Sequence, residues 1–268
     1  MWDAVQHDPD AGAAKRLAGA AADAMTEVGR GALMVFDGFC AAPGTLFRRR
    51  ARAAWFAQMH TAGIGSLGVI SVVALFIGMI LALQIGIELR AFNQEALIGP
   101  SVMVTMLREM GPMMTGVVLA ACVGSAMAAQ IGMMTVNEEV AALELMSISP
   151  VRFLATPRLM AMLVMAPLLS FYTCVLGVFG GALVGVTQFN VPLAQYFIEA
   201  MDIASNKSLY VGLLKAAVFG VIITGVSCYE GFSAAGGAVG VGEATRKSVI
   251  KSILLILVTG YVVTRFFY

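Results

Sequence analysis

The amino-acid sequence predicts an all-α integral membrane protein with five membrane-spanning helices, and three observations support this fold class. The chain of 268 residues is 59% hydrophobic and 12% charged, and its mean hydropathy is +0.87, beyond the range of soluble domains. Its charged residues leave long gaps that can each hold the roughly 20 apolar residues of a bilayer crossing. The net charge of +1 offers no basic surface for nucleic acid, which we exclude as a partner.

The first 60 residues differ from the rest and predict helices that lie along the membrane surface. Residues 1–12 form a polar tail without the basic start and short apolar run of a cleaved signal peptide, so we expect the N-terminus to be retained. Residues 13–60 mix apolar and basic side chains, with an arginine cluster that ends at Arg52 before Trp55 and Phe56. This composition is typical of interfacial amphipathic helices.

Residues 61–268 are expected to form the five-span permease-like domain. Charge-free gaps occupy 53–87, 110–137 and 159–198. Two weaker stretches follow. Lys215 interrupts residues 209–229, and residues 249–268 contain Lys251 and Arg265 near the ends, where long side chains can reach the membrane surface. The expected spans are 61–92, 101–132, 151–188, 208–230 and 246–267.

Small residues recur every four positions in two of these spans, where they let another helix approach closely. The series are Gly177, Gly181 and Gly185 in span three, and Ala120, Gly124, Ala128 and Gly132 in span two. The approaching helix belongs either to a second copy of the chain or to the same chain, and the sequence leaves both interpretations open.

The distribution of Lys and Arg predicts a cytoplasmic N-terminus, because cytoplasmic loops of membrane proteins carry the excess of these residues. With that orientation most of them fall in the N-terminal segment and in loops 133–158 and 231–246. The outer loops are then about 93–100 and 189–208.

Enzymatic motifs are absent from the sequence. The dipeptide Gly-Lys does not occur, so there is no Walker A phosphate loop. Residues 63–68 match GxGxxG, but they open a membrane span without a preceding strand, and we interpret them as helix packing. The four cysteines and two histidines form no cluster, so we expect no metal site and no disulfide framework. We therefore expect no catalytic residue.

Residues 134–147 predict a short amphipathic helix outside the membrane. Val140, Leu143 and Met146 recur at helical spacing, and Asn137 is placed as a possible N-cap. The rest of its surface carries three carboxylates: Glu138, Glu139 and Glu144. Anionic lipid would repel these carboxylates, which favours a protein partner over the bilayer surface.

Two pairs of charged residues are predicted near the outer surface: Glu88 and Arg90 end span one, and Arg108 and Glu109 open span two. An ionisable group in hydrocarbon costs about 3 kcal/mol unless it is paired or hydrated. The four residues therefore form either a polar mouth at one depth or local ion pairs that cap two helix ends.

Several motifs in order resemble the MlaE/YrbE family, the permease subunits of ABC transporters that act on lipids together with MCE proteins. The resemblance extends from about Trp55 to the last span. The similar segments are Phe76-Ile77-Gly78-Met79 with Leu83-Gln84, Leu107 to Pro112, Val123 to Ala126, Glu138 to Met146 with Pro150 and Pro157-Arg158, and Gly231 to Thr245.

The resemblance implies the assembly and the location of the chain. It implies a homodimer in the bacterial inner membrane that moves phospholipid or another hydrophobic lipid. The implied partners are a separate ABC ATPase, an MCE-domain protein and a small STAS-type accessory protein. The chain itself would hold no cofactor, because ATP and magnesium would bind to the ATPase.

The resemblance also implies two sets of functional residues. Residues of the short acidic helix would dock onto the ATPase: Glu138, Glu139, Leu143, Glu144 and Met146. Residues of spans one and two would surround an acyl chain or headgroup near the outer leaflet: Leu81, Leu89, Phe92, Arg108, Glu109 and Met110.

The chain departs from the family pattern at a few positions. Cys122 replaces a frequent Arg and Gln130 a frequent Glu, so both members of an expected buried charge pair are changed together. Asn137 and Ala141 replace a frequent Thr and Asp. The alternative function is a non-energised membrane scaffold or secondary lipid carrier, in which the acidic helix binds a structural protein.

Overall fold

The computed structural model describes Gly29 and residues 49–268, with side chains from Trp55 onward. The described part is helical and contains no strand. Five of its helices are long and apolar enough to cross a membrane, which confirms the predicted fold class: Trp55–Ala91, Glu95–Val136, Val151–Phe189, Asn206–Phe232 and Gly237–Phe267, here spans one to five. The predicted tail 1–12 and most of the predicted interfacial segment 13–60 lie outside the described residues.

The helices follow one another with short connections. They are α1 Arg49–Ala91, α2 Ile98–Thr105, α3 Gly111–Leu119, α4 Ser125–Val136, α5 Glu139–Leu145, α6 Thr156–Phe189, α7 Leu193–Ile203, α8 Asn206–Phe232 and α9 Gly237–Phe267. Helix α1 passes the expected boundary at residue 60 without a break. Span two is continuous, because a 3-10 turn at Glu95–Leu97 precedes α2 and the π-helical turns Met106–Met110 and Ala120–Gly124 join α2 to α4. A third π-helical turn, Val151–Ala155, precedes α6.

Span five begins earlier than the sequence suggested. Helix α9 starts at Gly237 rather than near residue 246, so much of the segment expected as a Gly-rich loop forms its first turns. Gly236 and Gly237 have φ values of +89° and +73°, a conformation that glycine adopts without steric cost. These two residues reverse the chain between spans four and five.

Span one packs against span three along a seam of glycines, the glycine seam, formed by Gly78, Gly177 and Gly180. A Cβ added to Gly78 would overlap the carbonyl oxygen of Gly177, and one added to Gly180 would overlap that of Leu75. The two helix backbones therefore touch. One polar link crosses the seam, since the hydroxyl oxygens of Ser71 and Tyr172 are 2.8 Å apart.

Both predicted series of small residues face helices of the same chain. A Cβ on Gly181 would meet Val102, and one on Gly185 would meet the ring of Tyr196. In span two, Gly124 lies against Ile223, and Gly132 lies against Val241. Intrachain packing is therefore the interpretation that the structure supports for these residues.

Helix α7 is anchored to the bundle by Tyr196, whose side chain is fully buried. The ring packs against Gly99 and Gly185, and the hydroxyl donates a hydrogen bond to the carbonyl of Val178 at 3.4 Å. Burial raises the pKa of this hydroxyl, so it remains a donor over the whole physiological range.

The acidic helix α5 is shorter than expected, and the prediction of Asn137 as its N-cap is wrong. The amide of Asn137 donates to the carbonyl of Met133 at 3.0 Å and so closes the preceding helix. Glu138 follows with a left-handed φ of +61° and precedes α5 without a side-chain capping bond. Span two and α5 are thus separated only by a sharp turn.

Candidate functional site

Two groups of charged side chains lie among the spans, toward the two ends of span four. The first, here the Lys215 cluster, comprises Arg108, Glu109, Ser208, Lys215, Thr264 and Tyr268. The second, here the Glu230 cluster, comprises two pairs near the other end of the bundle, Gln130 with Arg158 and Glu230 with Lys251. The Lys215 cluster joins spans two, four and five, whereas each pair of the Glu230 cluster joins two spans.

Lys215 is the buried centre of the first cluster, with a side chain only 1% exposed. Its Nζ donates to Glu109 Oε1 at 2.7 Å, to Thr264 Oγ1 at 2.7 Å and to the carbonyl of Arg108 at 3.0 Å. Thr264 in turn donates to Glu109 Oε1 at 2.8 Å. All three N–H donors of the ammonium group are satisfied, so the lysine that interrupts span four is paired inside the bundle.

Arg108 and Glu109 are consecutive residues of the π-helical turn Met106–Met110, and their partners come from spans four and five. The Nε of Arg108 donates to Ser208 Oγ at 3.0 Å. Both residues lie roughly three and a half turns inside span two, which begins at Glu95, rather than at its opening. Wide π turns recur at functional positions in other proteins.

Of the two alternatives for the four charged residues, the structure gives no support to a single polar mouth. Within the described ranges, no hydrogen bond or ion pair joins Glu88 or Arg90 to Arg108 or Glu109. Arg90 instead forms an exposed pair with Glu95, with its Nε 3.6 Å from Glu95 Oε1. Local ion pairing therefore accounts for Arg90, whereas Arg108 and Glu109 belong to the interior of the bundle.

Three of the four apolar residues proposed for the lipid site pack against the same apolar cluster. Leu81, Leu89 and Met110 are partly buried against one apolar cluster, which contains Val102 and Met106 of span two and extends to Tyr196. Phe92 is not part of this cluster: it is 71% exposed and lies in the turn after α1. Leu81, Leu89 and Met110 thus share one apolar cluster, and Phe92 lies outside it.

Two cavities lie elsewhere in the molecule. One of about 310 Å³ is bordered by Asn93, Asn190 and Gln195, and another of about 120 Å³ lies between spans one and two beside Cys122 and Gln130. None of the six residues expected to bind lipid lines either cavity.

The Glu230 cluster contains a second ion pair and one of the departures from the family pattern. Lys251 Nζ lies 2.7 Å from Glu230 Oε1, and the Glu230 side chain is 7% exposed. Arg158 is equally buried and donates to Gln130 Oε1 at 3.3 Å. Gln130 therefore gives Arg158 a neutral acceptor, and Cys122 is exposed rather than part of this group.

Helix α5 projects from the bundle and has no buried residue. Leu145 is 88% exposed and Met146 is 62% exposed, and Leu143 is half-buried. The carboxylates of α5 and its preceding turn are also exposed and have no ion-pair partner among the residues the structure describes: Glu138, Glu139 and Glu144. The helix thus presents an acidic and apolar surface to its surroundings.

Sequence reasoning missed the partners of Arg108 and Glu109, which are Ser208, Lys215 and Thr264. A signal for Lys215 was available, because an ionisable residue inside an apolar span usually has a partner on another span. Ser208 and Thr264 carried no such signal, since hydroxyl residues are common in membrane helices.

Comparisons with known proteins agree with this architecture. The profile of the family described as Permease MlaE matches residues 55–266. A probable ABC transporter permease protein of Rickettsia conorii is 36% identical over 211 residues, which cover 79% of this chain and 82% of the relative. The intermembrane phospholipid transport system permease protein MlaE of Haemophilus influenzae is 33% identical over 208 residues, which cover 77% and 80%. The family match includes nearly all of the five spans, and the chain therefore belongs to the MlaE permease family.

Proposed function

We propose that this chain is the permease subunit of an ABC transporter that moves phospholipid between the bacterial inner membrane and an MCE protein. Membership in the MlaE family supports this proposal, as does the name of the relative from Haemophilus influenzae. ATP and magnesium bind to a separate ATPase, which hydrolyses the nucleotide, and a STAS-type protein completes the assembly. The N-terminus faces the cytoplasm.

The observation that carries the proposal is the exposed acidic helix α5. A seven-residue helix without a buried side chain gains little stability from its own packing, because short helices are marginal in water. Its half-buried Leu143 and exposed Met146, beside three carboxylates, suit a protein surface with an apolar groove and basic groups. In this proposal Glu138, Glu139, Leu143, Glu144 and Met146 dock onto the ATPase.

The lipid site of the proposal is formed by Leu81, Leu89, Phe92, Arg108, Glu109 and Met110. Apolar walls beside a few polar groups are the usual composition of a ligand site. Three of its apolar residues pack against one cluster, and Met110 directly follows Arg108 and Glu109 in the chain. A homodimer would supply the second wall that encloses the lipid.

Charge reversal tests the docking role of α5. The triple variant Glu138→Lys, Glu139→Lys and Glu144→Lys should lose copurification with the ABC ATPase, because like charges would face each other across the contact. A matched control reverses three carboxylates at the other end of the bundle: Glu88 and Asp202, which are exposed, and Glu199, which is half-buried. Equal recovery of the ATPase with both variants would favour the non-energised scaffold or secondary carrier.

Photocrosslinking tests the lipid site. A crosslinker at Leu89 should capture phospholipid, whereas one at Ile87 should capture less, since two residues along a helix turn the side chain by about 200°. Ile87 is the matched control, because it lies at a similar depth on the same helix and is 56% exposed. Equal labelling at both positions, with normal transport by Leu89→Asp, would contradict the site.

A further inference from the structure

Two cations meet the aromatic ring of Tyr268 at the edge of the Lys215 cluster. The guanidinium carbon of Arg108 lies 4.5 Å from the ring centroid, and the Nζ of Lys207 lies 5.1 Å from it. Arg108 belongs to span two, Lys207 to the first turn of span four, and Tyr268 follows span five. Cations are attracted to the face of an aromatic ring, so one side chain gathers positive charges from two other spans.

A buried hydroxyl group fixes this arrangement. Ser208 is 2% exposed, and its Oγ accepts hydrogen bonds from Arg108 Nε at 3.0 Å and from Tyr268 Oη at 3.2 Å. A serine oxygen has two lone pairs, which these two donors occupy. The guanidinium group and the aromatic ring are therefore held relative to each other before any ligand arrives.

The two positive charges are not neutralised within the part of the chain that the structure describes. Glu109, the carboxylate next to Arg108 in the sequence, is paired with Lys215, and neither Arg108 nor Lys207 has an ion pair there. The Nη atoms of Arg108 donate no hydrogen bond to a described residue. A fork of N–H donors beside a second cation matches the oxygens of a phosphate group.

We propose that Arg108 and Lys207, held by Tyr268 and Ser208, bind the phosphodiester of a lipid headgroup and select lipids of net negative charge over zwitterionic ones. A zwitterionic headgroup brings an ammonium group close to two fixed cations, whereas an anionic headgroup does not. The inference rests on the proposed function, because it adds Lys207, Ser208 and Tyr268 to a lipid site that already contains Arg108. Lys207 and Tyr268 are then specificity-determining residues.

The test reconstitutes the full chain with its ATPase in vesicles of equimolar phosphatidylglycerol, phosphatidylethanolamine and diacylglycerol. Lipids that copurify after mild extraction are then quantified by mass spectrometry. The wild type should enrich phosphatidylglycerol, and Lys207→Gln should lower that enrichment by about threefold. Tyr268→Leu should lower it similarly, whereas Tyr268→Phe keeps the ring and should retain most of it. Arg265→Gln is the matched control, because it removes an exposed charge in the last turn of span five.

Several outcomes would overturn the inference. One is retention of the three lipids in their input ratio by the wild type, and another is an identical effect of Lys207→Gln and Arg265→Gln. Displacement of phosphatidylglycerol by excess inorganic phosphate would identify a site for the free ion instead of a headgroup. Crosslinking at Leu89 separates the two proposals: lipid captured there without headgroup preference contradicts only this inference, whereas no captured lipid contradicts the proposed function.

Discussion

Span one meets span three through backbone contact, whereas spans two, four and five are joined by charged side chains near both ends of span four. At the glycine seam, Gly78 lies against the carbonyl of Gly177. In the other region, Lys215 pairs with Glu109, and Lys251 pairs with Glu230. The seam depends on the absence of side chains, and the ion pairs depend on the presence of both partners. The two regions should therefore respond to substitution in different ways.

The largest expected effect is at the glycine seam. Gly78→Ala adds a methyl group where the carbonyl oxygen of Gly177 stands, and backbone cannot move aside as a flexible side chain can. We expect a loss of stability of about 3 kcal/mol or more, seen as a lower thermal midpoint in detergent. Gly68→Ala is the matched control on the same helix, because no atom lies within 4 Å of its added Cβ. Similar midpoints for both variants would refute the seam as a close contact.

The next effect concerns the Lys215 cluster, where the two partners differ in burial. The Lys215 side chain is 1% exposed and that of Glu109 is 36% exposed. Glu109→Gln leaves a buried ammonium group without its counter-charge, for which we expect a loss of about 3 kcal/mol. Lys215→Met leaves a carboxylate that is only partly buried, so its loss should be smaller.

A double-mutant cycle sharpens this prediction. The variant with both Glu109→Gln and Lys215→Met should be more stable than Glu109→Gln alone, because the uncompensated charge is gone. Thermal or denaturant unfolding in detergent measures all four proteins. Additive losses would mean that the two side chains act independently, which the distance of 2.7 Å between them argues against.

The smallest effect should come from the one polar link across the seam. Tyr172→Phe removes the hydroxyl that lies 2.8 Å from Ser71 Oγ, and we expect a loss of about 1 kcal/mol. Ser71 keeps its bond to the carbonyl of Leu67, so it is not left unsatisfied. Tyr210→Phe, at a side chain that is 71% exposed, should change stability less. A larger loss of stability for Tyr172→Phe than for Gly78→Ala would contradict the greater importance of backbone contact at the seam.

The number of spans and the acidic helix were predictable from the sequence because they depend on local composition. Charge-free gaps mark apolar spans wherever the neighbouring helices lie, and the spacing of Val140 and Leu143 marks a helix by itself. The depth of Arg108 was not predictable in this way. Span two begins at Glu95, and several apolar residues separate Glu95 from Arg108. The charge-free gap 110–137 therefore marked only part of the helix.

The partners within the bundle escaped prediction for a different reason. Whether Lys215 reaches the membrane surface or pairs inside depends on which helix face is covered, and that is a property of the folded chain. The same holds for Gly177 and Gly181, whose spacing allows close approach by any helix. The start of α9 was misplaced because Gly236 and Gly237, which turn the chain, stand among other glycines and small residues that continue the helix.

The position of Lys215 has a consequence for how the protein enters the membrane. A lysine inside a span opposes insertion by up to about 3 kcal/mol, but its carboxylate partner Glu109 belongs to span two, which is synthesised earlier. Span four therefore enters a bilayer that already holds its counter-charge. Thr264, the remaining side-chain partner of the ammonium group, arrives only with span five. The partners of Lys215 thus become available in the order in which the spans are synthesised, and the last span completes the hydrogen bonds of the ammonium group.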